Sequence, residues 1–343
     1  MTGGDLEAFM ATMLGSAATV SVEDAEKLAR DRYRLAATAT RLTGERDENF
    51  RLACADGRQY VLKIASAAEE PEITDLPTAA LLHLERVDPG FPCPRVVRTL
   101  EGETLCRYRD RAGLERSVRV LTYVPGKTLR STTRSRAQRV ASGHVAARLG
   151  LALREFTHPA ARRALLWDLR NVGHVAGLLE ELPDLTEREQ IMSLLERIAM
   201  LTGGRLQQLR QQVIHNDLND MNLLVDPDDE AVIVGVIDFG DLVHTALIAD
   251  VAIVAADQIA AGESVRDSIA DIVVGYHQTS PLLPPELALL NPLIAARALT
   301  DVVIPAWHRR RNPGGTHYSD LLPETVRARV ELAAELLSTG LPL

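Results

Sequence analysis

The sequence predicts an α+β fold of two lobes, a small N-terminal lobe with an antiparallel sheet plus a helix and a larger, mainly helical C-terminal lobe. Three observations lead to this prediction. The 343 residues exceed what one hydrophobic core usually serves. Strand-like segments separated by turns occupy much of the first 124 residues, and long segments of helical periodicity follow from about Gly143. We therefore expect an N-terminal lobe over residues 1–124 and a C-terminal lobe over residues 125–343.

The first predicted element is an amphipathic helix over residues 21–34. Its segment "SVEDAEKLARDRYRL" begins with Ser21 three residues before Asp24, which is a helix-capping pattern. Apolar residues then recur at helical spacing, so one face of this helix should be buried.

The strands of the small lobe follow this helix. The segments "LAATATRL", "NFRLACA", "QYVLKIA" and "RSVRVLTYV" alternate or run apolar, and "TGERDE" and "DGR" break them. Such short breaks are typical of hairpins, so these strands should form an antiparallel sheet. Between the third and fourth strands, "TDLPTAALLHLERV" predicts a short helix, and "PGFPCPRVV" predicts a turn that leads into a further strand.

The helical lobe has one exception, the stretch from Val213 to Asp241. There "VIHNDL", "NLLVD" and "AVIVGVIDF" predict short strands separated by tight polar loops. Charged residues therefore stand at the ends of strands that should be buried.

Bulk composition restricts the partners and the compartment. A net charge of -9 argues against a nucleic-acid partner, which needs a basic face, and is compatible with a cationic small substrate. Three cysteines without CxxC spacing favour a reducing cytoplasm. The first 15 residues do not have the pattern of a secretory signal, and no apolar window predicts a membrane partner. Composition does not determine the oligomeric state.

The polar stretch has the spacing H-x-D-x-x-x-x-N followed by "IDFGD", which suits phosphoryl transfer. A carboxylate on a rigid loop, Asp217, can orient a hydroxyl and accept its proton. Mg²⁺ prefers oxygen ligands, which Asn222 and Asp238 can supply from neighbouring loops. We expect His215 to brace its loop through hydrogen bonds to backbone. Asp241 is open between a loop cap, a substrate contact and a third acid near the metal.

The small lobe should supply a phosphate contact. Lys63 is flanked by apolar residues in a predicted buried strand, where an unpaired lysine is costly. The alternative is an edge strand whose lysine faces water. Upstream, the turn in "LTGERDENFRL" contains Gly44 and could fold over phosphates, although it lacks the GxGxxG spacing.

These residues resemble the aminoglycoside phosphotransferase and choline kinase superfamily, relatives of protein kinases. The resemblance rests on "VIHNDLNDMN", "GVIDFGD" and "YVLKIA", and it extends from about Ser21 to Pro305. Within the superfamily, "LTGERDENFRL", "TAALLHLERVDPGFPCPRVV" and "GVIDFGDLVHTALIADVAI" are most similar to the hydroxylysine kinase-like branch.

The resemblance implies a bilobal protein-kinase-like fold with ATP or GTP and Mg²⁺ between the lobes. It assigns roles to individual positions: catalytic base, Asp217; Mg²⁺ ligands, Asn222 and Asp238; α/β-phosphate contact, Lys63; nucleotide-base contacts through the backbone, Thr122, Tyr123 and Val124; brace of the catalytic loop, Asp250.

The sequence departs from the family pattern at one position. The family pairs the lysine with an acid on the following helix, and Pro77 occupies part of that place here. We expect Asp75 to pair with Lys63, with Glu72 as the second candidate.

The resemblance and the charge together predict transfer of the γ-phosphate to a hydroxyl of an amine or amino acid, with hydroxylysine-like compounds first. Aminoglycosides, other amino alcohols and sugars remain alternatives. Arg297, Trp307 and His308 are candidate pocket residues, Arg297 because an arginine can grip a carboxylate. Equally, Arg297 could be a surface charge and Trp307 a packing residue.

Two rival functions remain open from the sequence. One is a metal-dependent hydrolase in which His215, Asp217 and Asp238 hold a transition metal. The hydrolase hypothesis assigns no role to Lys63 or to the small lobe. The other is a non-catalytic nucleotide-binding relative, which the intact Asp217, Asn222 and Asp238 argue against.

Overall fold

The computed structural model describes residues 20–42, 44, 47–259, 262–313, 318 and 321–338. The N-terminal segment in which we expect no secretory signal lies outside these residues, as do Thr43, Glu45 and Arg46 of the predicted phosphate turn.

The first described helix agrees with its prediction. It begins at Val22, because the Ser21 side chain accepts the N–H of Asp24 while the Asp24 carboxylate accepts the N–H of Ser21. It ends at Tyr33, where Arg34 takes a left-handed conformation with a φ of 54°. Its buried face packs on the sheet that follows.

A six-stranded antiparallel sheet forms the small lobe, as predicted. Five strands lie in the order β1-β2-β3-β6-β4, and β5 pairs with β6. Strand β5 was not predicted from the sequence. The elements are α1 (Val22–Tyr33), β1 (Ala37–Leu42), β2 (Glu48–Cys54), β3 (Gln59–Ile64), α2 (Pro71–Val87), β4 (Val96–Val97), β5 (Cys106–Arg109) and β6 (Glu115–Thr122).

The rest of the chain is mainly helical, and its helices begin at Arg136, before the expected Gly143. Two small antiparallel sheets, β10-β9-β7 and β11-β8, interrupt the helices. The elements are β7 (Lys127–Thr128), α3 (Arg136–Leu153), α4 (Val172–Leu178), α5 (Arg188–Thr202), β8 (Gln211–Ile214), β9 (Leu223–Val225), β10 (Ile233–Val236), β11 (Val243–Ala246), α6 (Ile248–Gln258), α7 (Val265–Thr279), α8 (Pro284–Arg311) and α9 (Pro323–Ser338).

Two hydrophobic cores correspond to the two parts. One lies between α1 and the six-stranded sheet. The other lies among the helices, and it also takes in the buried face of α2, including Leu76, Leu81 and Leu84. Helix α2 therefore joins the sheet to the helical part. The domain boundary after Val124 stays a prediction, although β6 ends just before it at Thr122.

Helix α8 is long and apolar enough to cross a membrane by length and composition. However, 83% of its most apolar window is buried inside the protein. Its apolar residues pack against α5, α6 and α9, as expected of a core helix.

Candidate active site

The loop that joins β8 to β9 carries the predicted base Asp217, and His215 braces this loop from inside. The imidazole is buried, its Nε2–H donates to the carbonyl of Ile237 at 3.1 Å, and its Nδ1 accepts the N–H of Asp217 at 3.3 Å. Burial lowers the pKa of His215 to about 4, so the ring is neutral at pH 7. These bonds match the bracing role that we expected.

Asp250, in the first turn of α6, holds the same loop from the other side. Its carboxylate accepts the N–H of Asn216 at 2.7 Å and the N–H of His215 at 3.0 Å. Burial raises the pKa of Asp250 to about 7, although the two N–H donors act in the opposite direction. Asp250 is therefore placed where the resemblance implied a brace.

Among the described residues, three side chains donate hydrogen bonds to the carboxylate of Asp217. Oδ1 accepts from Asn219 Nδ2 at 2.8 Å and from Arg297 Nη2 at 3.2 Å, and Oδ2 accepts from Asn222 Nδ2 at 2.7 Å. Asn219 was not predicted as a site residue, although it lies in the motif VIHNDLNDMN, two residues after Asp217. The arrangement fixes the carboxylate in one orientation.

Asn222 and Asp238 present oxygen atoms beside this carboxylate. Asn222 donates its amide nitrogen to the Asp217 carboxylate and, at 2.9 Å, to the Asp217 carbonyl, so its Oδ1 is the atom left to accept a ligand. The carbonyl of Asn222 accepts the N–H of Ile237 at 3.0 Å, which brings Asp238 alongside. A donor set of oxygen atoms suits Mg²⁺.

Lys63 reaches across the cleft to Asp238 of the helical part and also approaches Asp47 of the small lobe. Its Nζ lies 3.2 Å from Asp238 Oδ1 and 4.0 Å from Asp47 Oδ2. Asp217 and Asp241 line the same cleft, with Gly44 on its opposite side. The structure thus brings together the lysine, the predicted metal ligands and the predicted base. The alternative in which Lys63 simply faces water is wrong.

The expected pairing of Lys63 with Asp75 is wrong, and so is the second choice, Glu72. Asp75 lies 3.4 Å from His158 Nε2, and Glu72 is exposed. The positions of α2 that line the cleft are Ile73 and Pro77, one helical turn apart. A residue two positions after Ile73 faces the other side of the helix, which explains the direction of Asp75.

The segment after β6 is the predicted contact for the nucleotide base. The N–H of Thr122 donates to Arg95 O at 2.9 Å, and the N–H of Tyr123 donates to Gln59 O at 3.1 Å. Val124 donates to no backbone carbonyl of the described residues. Of the three predicted residues, Val124 is therefore the one whose N–H can donate to a base without first breaking such a bond.

The pocket residues predicted on α8 separate into two groups. Arg297 is buried, contacts Asp217, and stacks 4.9 Å from the ring of Trp167, a contact that the sequence did not indicate. Burial alone would lower the pKa of Arg297, but the carboxylates of Asp301 and Asp217 raise it overall. None of Arg297, Trp307 and His308 lines the cleft, but Arg297 contacts Asp217, which does. Trp307 is 1% exposed and packs in the hydrophobic core of the helical part, so the structure gives no support to the expectation that it binds substrate.

The arrangement of His215 is unfavourable to the hydrolase alternative. Both ring nitrogens are already engaged, one with a carbonyl and the other with a backbone N–H. A metal at either nitrogen would have to displace a bond that holds the loop.

The chain belongs to the phosphotransferase enzyme family, whose family model matches residues 38–287. This range contains Lys63, Asp217, Asn222 and Asp238. The predicted fold class and the predicted enzyme class, a phosphotransferase, are confirmed.

Similar relatives support the predicted branch. Hydroxylysine kinase of Mus musculus is 28% identical over 301 residues, which are 81% of this chain and 80% of that protein. Homoserine kinase of Methylobacillus flagellatus is 26% identical over 306 residues, 85% of this chain and 88% of that protein. The structure of amicoumacin kinase hAmiN, in complex with AMP-PNP, Ca²⁺ and Ami, has a TM-score of 0.69 at 15% identity, covering 100% of this chain and 98% of that one. The predicted resemblance is confirmed.

Proposed function

We propose that this enzyme transfers the γ-phosphate of ATP or GTP to the hydroxyl of an amino acid or amine, with hydroxylysine-like acceptors first. The observation that carries the proposal is the contact of Lys63 with Asp238, 3.2 Å apart, in the cleft that Asp217 also lines. The same cleft then contains a cation for phosphate, Lys63, an oxygen ligand for a metal, Asp238, and a carboxylate base, Asp217.

In the proposed reaction, each residue of the site has a separate role. The hydroxyl oxygen of the acceptor forms a bond to the γ-phosphorus, the bond from that phosphorus to the nucleoside diphosphate breaks, and Asp217 accepts the hydroxyl proton. Asn219 and Arg297 orient the Asp217 carboxylate, and Lys63 binds the phosphates. Asn222 and Asp238 would hold Mg²⁺, which neutralises phosphate charge when it is bound.

Two charges near Asp217 support the proposed acceptor class. Arg297 has a second amino group, Nη1, that is buried and has no hydrogen-bond partner among the described residues, and it can engage a carboxylate. Asp241 lines the cleft and can attract an ammonium group. The relatives named for hydroxylysine and homoserine act, by those names, on amino acids with a side-chain hydroxyl.

A coupled ADP or GDP assay with hydroxylated amino acids, amines, sugars and aminoglycosides tests the proposal. We expect turnover with hydroxylysine-like compounds and none with Asp217→Asn, which should still raise its melting temperature with Mg-ATP or Mg-GTP. Equal turnover in Asp217→Asn would contradict the assigned base. Nucleotide binding by the wild type without turnover of any acceptor would favour the non-catalytic alternative.

The role of Arg297 has a separate test. Arg297→Met should reduce kcat/KM more for hydroxylysine than for the matching amino alcohol without a carboxylate, because only the first loses the arginine contact. Arg266→Gln, at an exposed position of α7, removes the same charge and should leave this ratio unchanged. An equal loss for both acceptors would limit Arg297 to orienting Asp217.

We also propose a cytoplasmic location. Cys54, Cys93 and Cys106 are free thiols, which persist in a reducing compartment. Detection of the tagged protein in cell fractions tests this.

A further inference from the structure

Among the described residues of the small lobe, the carboxylate that contacts Lys63 is Asp47. Its Oδ2 lies 4.0 Å from Lys63 Nζ and 3.1 Å from Arg119 Nη2. The side chains of Lys63 and Asp47 are each 13% exposed, so solvent screens their interaction less than that of a surface pair. The Asp47 carboxylate thus contacts two cationic side chains, Lys63 and Arg119.

Arg119 is the neighbour of Lys63 across β3 and β6. It is buried, and its Nη1 donates to the carbonyl of Thr74 at 3.0 Å, in the first turns of α2. Arg119 therefore holds Asp47 with one amino group and helix α2 with the other. Because a guanidinium is planar and rigid, this double contact restricts where the Asp47 carboxylate can lie.

Helix α2 offers no acid in the place where Asp47 lies. Its cleft-facing positions are Ile73 and Pro77, and Asp75 contacts His158 instead. Glu69, which precedes the helix, also lines the cleft, but its carboxylate accepts the hydroxyl of Thr74 at 3.0 Å.

We propose that Asp47, held by Arg119, is the residue that positions Lys63 for the nucleotide phosphates, in place of an acid on helix α2. This inference rests on the proposed function. In the present structure Lys63 divides its contacts between Asp238 and Asp47. If Asp238 serves as a metal ligand, Asp47 is the carboxylate among the described contacts of Lys63 that remains to orient its ammonium group.

Gly44 lies against the backbone of Asp47. A Cβ added to Gly44 would lie 2.3 Å from the carbonyl oxygen of Asp47, closer than real Cβ atoms approach. A side chain at position 44 would therefore displace the backbone of Asp47.

Steady-state kinetics of Asp47→Asn tests the proposal, with Asp75→Asn and Glu72→Gln on helix α2 as matched controls, because Asp75 contacts His158 and Glu72 is exposed. For Asp47→Asn we expect the nucleotide KM to rise about tenfold, which is the effect of roughly 1.4 kcal/mol, while the acceptor KM is unchanged. Both controls should stay within about twofold of the wild type, and Asp47→Glu should recover part of the loss.

A double-mutant cycle separates positioning from a structural effect. If Asp47 acts through Lys63, Asp47→Asn should weaken nucleotide binding in the wild type but not further in Lys63→Met. Thermal unfolding of each variant without nucleotide shows whether the fold is intact.

Two results would overturn this inference and leave the proposed function standing: equal nucleotide KM values in Asp47→Asn and wild type, or a tenfold rise in a control variant only. Additive losses in the cycle would also overturn it. Failure of the wild type to bind any nucleotide would instead overturn the proposed function, and this inference with it.

Discussion

The carboxylate of Asp250 lies directly behind the backbone of His215, whose N–H donates to Oδ2 at 3.0 Å. The other carboxylate oxygen accepts the N–H of Asn216 at 2.7 Å. Asp217 is the next residue, so helix α6 holds the backbone that carries the predicted base.

Asp250→Ala should destabilise the protein and slow catalysis. Two buried N–H groups would lose their acceptors, which costs on the order of 3 kcal/mol in unfolding free energy. We expect kcat to fall more than about tenfold because the loop no longer holds Asp217 in place. Asp250→Asn keeps one acceptor oxygen and should lose less. Denaturant unfolding and turnover measure both effects.

Asp228→Ala is the control for this prediction, because Asp228 is exposed in the loop between β9 and β10. Its stability and kcat should equal those of the wild type. Wild-type stability in Asp250→Ala would contradict the bracing role.

The neutral imidazole of His215 should make stability depend on pH. Its folded pKa of about 4 lies below the ordinary value of 6.5, so between these values the unfolded chain binds a proton that the folded chain does not. Stability is therefore lost as pH falls from 6.5 towards 4. The raised pKa of Asp250 acts in the opposite direction, so the wild-type profile alone does not isolate the histidine.

The difference between wild type and His215→Gln isolates this effect, because Asp250 is present in both. We expect the wild-type unfolding free energy to decline relative to the variant by up to about 3 kcal/mol between neutral pH and a pH near 4. Parallel pH profiles of the two proteins would show that His215 is not buried in its neutral form.

Asn216 should be replaceable by glycine. It has a φ of 65°, and both polar atoms of its buried amide lack hydrogen-bond partners among the described residues. Asn216→Gly removes the backbone strain and the unsatisfied amide, so stability should stay equal or rise by up to about 1 kcal/mol. Asn216→Ala keeps a Cβ at positive φ and should be less stable than glycine by about 1 kcal/mol. The reverse order in denaturant unfolding would refute this account.

Two glycines allow helices α3 and α7 to pack closely. A Cβ at Gly143 would lie 2.1 Å from the carbonyl oxygen of Ile272, and one at Gly275 would lie 2.0 Å from that of Val140. Alanine at either site should separate the helices and cost about 1–3 kcal/mol or more.

Gly177→Ala is the matched control, because nothing lies within 4 Å of the Cβ position in helix α4. There the better helix propensity of alanine should raise stability by up to about 1 kcal/mol. Melting temperatures of the three variants test this difference. Equal effects at Gly143 and Gly177 would contradict the close packing.

Local patterns predicted much of the fold. The capping pair at Ser21 and Asp24 located α1 to within one residue, and alternation located the four main strands of the sheet to within about two residues. Strands β5, β7 and β11 were missed because they are short and contain no run of apolar residues, whereas β8, β9 and β10 are equally short but contain consecutive Val, Ile or Leu residues. Such short strands depend on the partner strand for their hydrogen bonds.

Site residues could be predicted where they lie close together in the sequence, but contacts between distant residues could not. Asp217, Asn222 and Asp238 lie within one stretch, where spacing and residue type together indicate phosphoryl transfer. The partner of Lys63 was predicted wrongly, because the direction of Asp75 depends on how helix α2 is rotated against the sheet and the helical core.

The sequence by itself determined the class of fold, the catalytic stretch and the lysine strand, because hydrophobic period and motif spacing are properties of neighbouring residues. Only the tertiary structure decided that Asp47 and Arg119 lie beside Lys63, and that Arg297 reaches Asp217 from 80 residues further along the chain. Contacts of this kind depend on strand register and helix rotation, which are set by the packing of the whole molecule. No local sequence pattern therefore predicts them.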